Sequence, residues 1–241
     1  ASLVFVFNIT SIPILSNLAQ KIAGPPKSLL YQTKVIRGDN KDKELLEENE
    51  KLRQKIVDHE RLKRDNQVLR DQFETGTTRD YKLLPARVIG SLGSIRRPQS
   101  LIIDQGKKSG VVPGMAVVLK SNLLGKVETV SVNYSKINLT HNEKFSTLAR
   151  TSETNALGVA RGVGDFILFD QVSINDTISA GQLLLTRGEI NEEGFGIPPD
   201  FVIGKISEVD KNESLPNQSA KIEGMIDASR INIVFVVISL Q

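Results

Sequence analysis

The spacing of apolar positions divides the chain into two parts near Gly76. Between Asp39 and Glu74 the apolar residues are few, and together with the polar positions that fill the gaps they recur at steps of three and four. After Gly76, short runs rich in Val, Ile and Leu alternate with Gly, Asn, Asp and Pro. Steps of three and four indicate one face of an α-helix, and short β-rich runs bounded by turn residues indicate strands. The sequence therefore predicts one long helix followed by an all-β region.

Within the predicted helix, the apolar residues form a heptad seam with one shortened step once polar residues fill the gaps between them. The steps run 4-3-4-3-3-4-3-4, and the repeated step of three near His59 is typical of a stammer. A stripe this narrow favours a two-stranded coiled coil, and a single solvated helix stabilised by ion pairs such as Glu47–Lys51 is the alternative. The predicted self-association seam consists of Leu45, Asn49, Leu52, Ile56, His59, Leu62, Asn66, Leu69 and Phe73.

The same segment holds a large share of the charge. Residues 39–74 contain 11 acids and 9 bases in 36 positions, without Gly or Pro. As a helix, this segment would be about 54 Å long at 1.5 Å per residue. A polar helix of that length cannot be buried in a small domain, so it must pair with another helix or extend into solvent. We predict a coiled-coil helix over residues 27–76.

The first residues form an apolar segment that is too short to cross a bilayer. Leu3–Ile14 is interrupted by Asn, Thr, Ser and Pro, and a spanning helix needs about 20 apolar residues. The segment fits the end of a longer apolar helix or the tail of a signal peptide, but it has no basic n-region and no clear cleavage site. Gly24-Pro25-Pro26 ends any helix that precedes it.

The region after Gly76 is predicted to contain twelve short strands. Such a series is typical of one or two small barrels or of a sandwich, and barrels are favoured because closure removes unpaired strand edges. The strands are predicted near Leu83–Leu92, Ser100–Asp104, Ala116–Lys120, Leu123–Val132, Ser135–Thr140, Ser146–Thr151, Ala156–Val163, Phe166–Asp170, Gln182–Thr186, Phe201–Val209, Ser219–Met225 and Ile231–Ile238.

The composition excludes several kinds of chemistry. The chain has no cysteine, which rules out disulfides, thiolate zinc sites, iron–sulfur clusters and a cysteine nucleophile. With only His59 and His141, a multi-histidine metal site is not expected, and we predict no metal and no cofactor. The net charge of +3 over 241 residues does not indicate a nucleic-acid partner, because such proteins concentrate basic residues on one face.

Six stretches of the β region resemble one bacterial family, in the family's order. The rod shape-determining MreC family has similar glycine-containing segments behind a coiled coil, and the resemblance extends over about Leu45–Val237. Gln182, Arg187 and the longer stretch Glu189–Phe201 depart from the family pattern. The six similar stretches are LIIDQGKKSGVVPGMAVV (Leu101–Val118), LLGKVETV (Leu123–Val130), ALGVARG (Ala156–Gly162), ISAGQLLLTRG (Ile178–Gly188), IPPDFVIGKISEV (Ile197–Val209) and AKIEGMIDASRINIVFVV (Ala220–Val237).

This resemblance implies a fold, a location and a function. The fold would be mainly β with a long N-terminal coiled-coil helix and two small barrels of about six strands each, at residues 80–145 and 146–241. The C-terminal strands could return to the first barrel. Residues 1–23 would be the membrane-proximal end of a transmembrane helix. The protein would cross the inner (cytoplasmic) membrane once, with its coiled coil and barrels on the periplasmic side.

The function implied is that of a non-enzymatic scaffold of the cell-elongation machinery, the elongasome. Such a scaffold self-associates through the coiled coil as a homodimer or larger homo-oligomer. It binds an MreD-like membrane protein and a class B penicillin-binding transpeptidase, which it activates for peptidoglycan synthesis. An export adaptor is less compatible, because such adaptors place a helical hairpin inside a lipoyl-type domain, and this helix is single and N-terminal.

The alternative function is an extracytoplasmic chymotrypsin-like β-barrel hydrolase with a coiled-coil stalk. His141 is its only candidate base because His59 lies on the seam, and no Gly-x-Ser-x-Gly elbow is present. Asp104-Gln105-Gly106 is predicted to be a turn. The glycine-rich run Gly158–Gly164 lacks the Lys-Ser/Thr of a phosphate-binding loop and is predicted to be a strand. We predict no catalytic residues.

Two basic pairs lie in predicted loops of the first barrel. They are Arg96-Arg97 and Lys107-Lys108. Solvated turn residues are the simpler interpretation, and a contact with an acidic partner or anionic lipid is the alternative.

Overall fold

The N-terminal part of the described chain is one long helix. The computed structural model describes the backbone of residues 27–75 and 81–240 and the side chains of residues 42–72 and 81–238. Helix α1 spans Lys27–Thr75. The chain divides into two units at Leu62/Lys63, within this helix. The predicted membrane-proximal segment, residues 1–23, and the side chain of Phe73 lie outside the described residues.

Fourteen strands follow the helix in the described part of the chain. The first seven are β1 (Tyr81–Gly93), β2 (Pro98–Ile103), β3 (Ala116–Leu119), β4 (Asn122–Val130), β5 (Ser135–Leu139), β6 (Ser146–Thr151) and β7 (Leu157–Gly162). The second seven are β8 (Ile167–Ser173), β9 (Leu183–Thr186), β10 (Glu189–Ile190), β11 (Gly196–Ile197), β12 (Val202–Asp210), β13 (Asn217–Glu223) and β14 (Ile233–Leu240).

Twelve of these strands close into two six-stranded barrels. The first barrel has the order β4-β3-β14-β1-β2-β5 and closes through the β4–β5 pair. The second has the order β12-β9-β6-β7-β8-β13 and closes through the β12–β13 pair. A single parallel pairing of β12 with β4, Val202 opposite Asn122, joins them. The prediction of a mainly β fold with an N-terminal helix and two small barrels is confirmed.

The last strand, β14, lies in the first barrel between β1 and β3. Both faces of β14 are buried. On one face, Val234 and Val236 belong to the apolar core of the first barrel, which we call the first-barrel core. Ile233, Phe235 and Val237 point the other way, into an apolar cluster that also fills the second barrel and that we call the shared core. Burial on both faces explains why this strand is apolar at nearly every position rather than at alternate ones.

The strands β10 and β11 were not predicted. They form a separate two-stranded hairpin outside both barrels, with Glu189 opposite Ile197 and Ile190 opposite Gly196. Two-residue strands give too short a pattern for alternation to be recognised. This hairpin occupies part of the stretch in which the sequence departs from the family pattern.

No helix among the described residues is long and apolar enough to span a membrane.

Candidate interaction surfaces

The N-terminal part of the predicted seam is exposed in the single chain. The side chains of the four apolar seam residues up to position 62 are each at least half accessible: Leu45 53%, Leu52 50%, Ile56 62% and Leu62 62%. The polar seam residues Asn49, His59 and Asn66 are exposed as well. Among the described side chains of its unit, residues 42–62, none covers this apolar stripe on the charged helix. It is therefore a candidate surface for a second helix.

The seam meets the barrels at Leu69. Together with Val68, Leu69 packs against the shared core, so this seam residue is covered by its own chain. One turn later the buried Gln72 side chain accepts a hydrogen bond from Lys120 N at 2.5 Å and donates one to Lys120 O at 3.3 Å. Lys120 Nζ also lies 3.4 Å from Asp71 Oδ2. These contacts fix the last turns of α1 to the turn between β3 and β4.

A second apolar surface lies on the outside of the second barrel. Leu148 on β6 is directly opposite Val159 on β7, and Arg150 is opposite Leu157. Residues opposite each other on paired strands share a face, so Leu148, Leu157 and Val159 are contiguous, and we call them the second-barrel patch. Leu148 and Leu157 are 40% and 42% exposed, while Val159 is half-buried. Patches that combine apolar side chains with Arg are typical of protein–protein contacts.

A polar groove of about 720 Å³ separates the barrels on one side. Beside the groove, hydrogen bonds join first-barrel residues to the turn between β7 and β8. Arg97 donates to Asp165 O at 2.7 Å, and Gln99 Nε2 donates to Gly164 O at 2.9 Å. The Arg97 guanidinium also lies 3.4 Å from the Asp165 carboxylate. These contacts fix the two barrels against each other beside the groove.

The hydrolase alternative depends on His141, which lies at this groove. Its Nε2 is 2.9 Å from the main-chain oxygen of Pro98, and burial lowers the pKa of its imidazole. No serine hydroxyl is hydrogen-bonded to His141 among the described residues. Asp104 directly follows β2 and accepts a hydrogen bond from Arg87 N on the neighbouring strand β1 at 2.7 Å. The described residues therefore do not assemble the nucleophile, base and orienting group of a triad around His141.

The two basic pairs lie in loops, as predicted, but in different surroundings. Arg97 contacts Asp165 at the groove. Lys107 and Lys108 begin a 3-10 turn between β2 and β3 and are exposed. Arg96 is exposed beside the groove.

A partly exposed charge network lies on the wall of the first barrel. Glu128 Oε2 is 2.7 Å from Lys136 Nζ, and its Oε1 is 3.0 Å from Lys144 Nζ. The hydrogen bonds from Lys136 and Lys144 lower the pKa of Glu128 to about 2. This carboxylate is therefore ionised at any physiological pH. Across the described residues, no group of three His, Asp or Glu side chains is arranged to hold a metal ion.

The family model of the rod shape-determining protein MreC, barrel core, matches residues 91–238. The chain belongs to the MreC family. The match covers the twelve complete strands β2 to β13, the end of β1 and most of β14, so both barrels of this chain are built on the MreC barrel core. The resemblance recognised in the six glycine-containing stretches is confirmed.

The cell shape-determining protein MreC of Listeria monocytogenes is 30% identical to this MreC chain over 201 residues. The aligned part covers 80% of the present chain but only 65% of that relative. A solved structure of MreC from the same species is 29% identical, with a TM-score of 0.59, and covers 83% of this chain and 94% of that one. A complex between penicillin-binding protein PBP2 and MreC from Helicobacter pylori matches with a TM-score of 0.52 and 11% identity. It covers 65% of this chain and 98% of that one.

Proposed function

We propose that this MreC chain is a non-enzymatic scaffold of the bacterial cell-elongation machinery. In this proposal it self-associates through α1, and its barrels bind and activate a class B penicillin-binding transpeptidase outside the membrane. The observation that carries the proposal is the uncovered apolar seam on a long charged helix, joined to two closed barrels of the MreC type. Closed barrels present fixed side-chain patches rather than free strand edges, which suits a docking platform.

Self-association would cover the four exposed apolar residues of the seam. Burying a Leu or Ile side chain contributes about 1.5–3 kcal/mol, and a symmetric pair of helices buries every seam position twice. The gain offsets the cost of association. Asn49 and Asn66 would meet their counterparts across the parallel pair and fix its register. Since Leu69 already packs against the shared core, we propose that the intermolecular seam runs from Leu45 to Asn66.

Replacing Ile56 by Ser is expected to weaken self-association of the chain about 100-fold or more. Each dimer loses two buried Ile side chains, which corresponds to about 3–6 kcal/mol. The neighbouring Val57 is the matched control, because its exposure of 65% is close to the 62% of Ile56 but it lies off the seam. Val57→Ser should leave the dissociation constant within about threefold, since surface substitutions usually change free energies by less than about 0.5 kcal/mol.

Sedimentation equilibrium of the full chain and both variants measures this difference. If the unsubstituted chain is monomeric at the highest soluble concentration, α1 is a solvated single helix and the seam proposal is wrong. Equal weakening by Ile56→Ser and Val57→Ser would also contradict it, because the effect would then not follow the heptad positions.

For the transpeptidase we propose the second-barrel patch as the docking surface. It combines the exposed side chains of Leu148 and Leu157 with arginines on both flanks, Arg150 and Arg161. The Helicobacter pylori MreC structure, in which MreC is in complex with a penicillin-binding protein, supports the class of partner. The test is binding of the transpeptidase to variants of this patch, with Leu215 as a control because it is 54% exposed elsewhere on the same barrel.

The membrane context is part of the same proposal. We propose that residues 1–23 are the outer end of a single transmembrane helix and that α1 and the barrels lie on the periplasmic side. An MreD-like membrane protein is the proposed partner of the membrane-proximal part. The support is the apolar composition of Leu3–Ile14 together with the family of the barrels.

A further inference from the structure

One end of the first barrel carries an exposed surface of basic and apolar side chains. We call Lys107, Lys108, Val132 and Tyr134 the basic end. All four are exposed, with Val132 at 56% and Tyr134 at 52%. They come from two loops, the β2–β3 connection and the β4–β5 turn, which lie side by side. This surface has no role in the seam or in the second-barrel patch.

The two loops of the basic end are held together by backbone contacts. Lys107 N donates to Ser131 O at 2.9 Å, and Lys108 N donates to Val132 O at 3.2 Å. Gly106 permits this approach, because a Cβ at that position would lie 2.5 Å from Ser131 O. The four side chains are therefore presented from two preformed loops, so little backbone conformational entropy would be lost on binding.

A surface of opposite charge lies on the hairpin of β10 and β11, residues 189–197, which we call the acidic hairpin. Its tip exposes Glu192 and Glu193, and its first strand exposes Ile190 at 40%. The tip is also preformed: Asn191 Oδ1 accepts hydrogen bonds from Glu193 N at 3.1 Å and from Phe195 N at 2.8 Å. Phe195 packs against the first-barrel core, which anchors the hairpin to the neighbouring barrel.

The charges of both surfaces lack ion-pair partners in the part of the chain that the structure describes. Between described residues, no ion pair involves Lys107, Lys108, Glu192 or Glu193. On the basic end, the two lysines lie beside two apolar side chains and form no ion pair with a described acid. On the acidic hairpin, the two glutamates lie near the exposed Ile190 and form no ion pair with a described base. Each surface thus has the charge and the apolar content that the other lacks.

We propose that the basic end of one chain docks the acidic hairpin of a second copy. Lys107 and Lys108 pair with Glu192 and Glu193, and Ile190 packs on Val132 and Tyr134. Because the two surfaces differ, the contact is heterologous, and repetition of it gives a ring or an open row of chains. The contact is small and belongs to the weak, transient class of interfaces. It forms measurably between chains that lack coiled-coil pairing at low salt, and coiled-coil pairing strengthens it by raising the local concentration of barrels.

Reciprocal charge reversal tests this contact in the full chain. The Ile56→Ser substitution is included in every protein to remove the coiled-coil contribution. Lys107→Glu with Lys108→Glu, and separately Glu192→Lys with Glu193→Lys, should each weaken self-association at least about tenfold in sedimentation velocity at low salt. An equimolar mixture of the two variants should regain the association of the parent, because the basic end and the hairpin are then complementary in both directions.

A charge-matched control separates the contact from the effect of net charge. Lys205→Glu with Lys211→Glu changes two exposed lysines of the second barrel and should leave the association unchanged. Parent association should weaken when salt is raised, since screening is strong for exposed charges. A parent that does not associate at low salt overturns the proposal, and so does a mixture that stays monomeric while both variants are folded. Loss of binding to an acidic protein or to anionic vesicles, without any effect on self-association, would assign the basic end to that other partner and overturn it too.

Discussion

Replacing Phe235 by Ala is expected to lower the free energy of unfolding of the barrels by about 3–5 kcal/mol, the range for truncation of a fully buried Phe. Phe235 is 1% exposed and lies on β14, where it faces the shared core. Its backbone neighbours on either side are the buried Val234 and Val236 of the first-barrel core. The cavity cannot collapse without moving β14, and β14 is common to the packing of both barrels. Urea denaturation followed by circular dichroism measures the change.

Phe166→Ala is the matched control for this prediction. Phe166 is half-buried at the groove, where Lys221 Nζ lies 4.9 Å above its ring. Its truncation should cost about 1 kcal/mol, because the side chain is only partly removed from water and the cation–π contact is solvent-accessible. Equal losses for Phe166→Ala and Phe235→Ala would contradict the placement of Phe235 in the core that the two barrels share.

Replacing Gly125 by Ala is expected to destabilise the first barrel by about 3 kcal/mol or more, as for other severe core overpacking. A Cβ at Gly125 would overlap the main-chain oxygen and carbon of Asn138 on the neighbouring strand β5. Because those atoms belong to a hydrogen-bonded strand of a closed barrel, they cannot move without breaking the β4–β5 pairing. Thermal unfolding of the variant gives the loss.

Gly224→Ala is the control for Gly125→Ala. No atom lies within 4 Å of a Cβ at Gly224, so the added methyl group enters open space. Its effect on unfolding should be within about 0.5 kcal/mol. Equal losses of stability for Gly125→Ala and Gly224→Ala would contradict the close approach of β4 and β5 at Gly125.

The strands of the barrels could be predicted from the sequence because their pattern is local. Alternation and turn residues mark β4 and β5, and the family resemblance supplied their assembly into two barrels. The continuous apolar run Ile233–Val237 indicates that both faces of β14 are buried. It does not indicate which strands lie next to β14. β14 pairs with β1 and β3, which lie far from it in the chain. The periodicity of a sequence is a local property, so it cannot predict which distant strands pair.

The surfaces were less predictable than the fold. The seam follows from heptad spacing, but spacing could not show that Leu69 packs against the shared core while Leu62 stays exposed. Lys107 was predicted to be a loop residue. Its position beside Val132 depends on a close approach at Gly106 that only the folded barrel creates.

The acidic hairpin was also missed as an element. Its short strands carry no periodic signal, and its tip is held by hydrogen bonds to both the side chain and the backbone of Asn191. A glycine-rich stretch with three glutamates, at a place where the chain departs from the family pattern, was the only signal of a feature particular to this chain.

Binding of the class B transpeptidase tests the central claim, that this MreC chain works as a docking scaffold. Isothermal titration calorimetry of the full chain with the extracytoplasmic region of the transpeptidase from the same bacterium should give saturable binding. A dissociation constant of about 1 μM or tighter corresponds to about −8 kcal/mol. Leu148→Glu with Leu157→Glu should weaken it at least about tenfold by placing unpaired charges in the contact, and Leu215→Glu should not. Absence of saturable binding by the folded, unsubstituted chain would contradict the scaffold account.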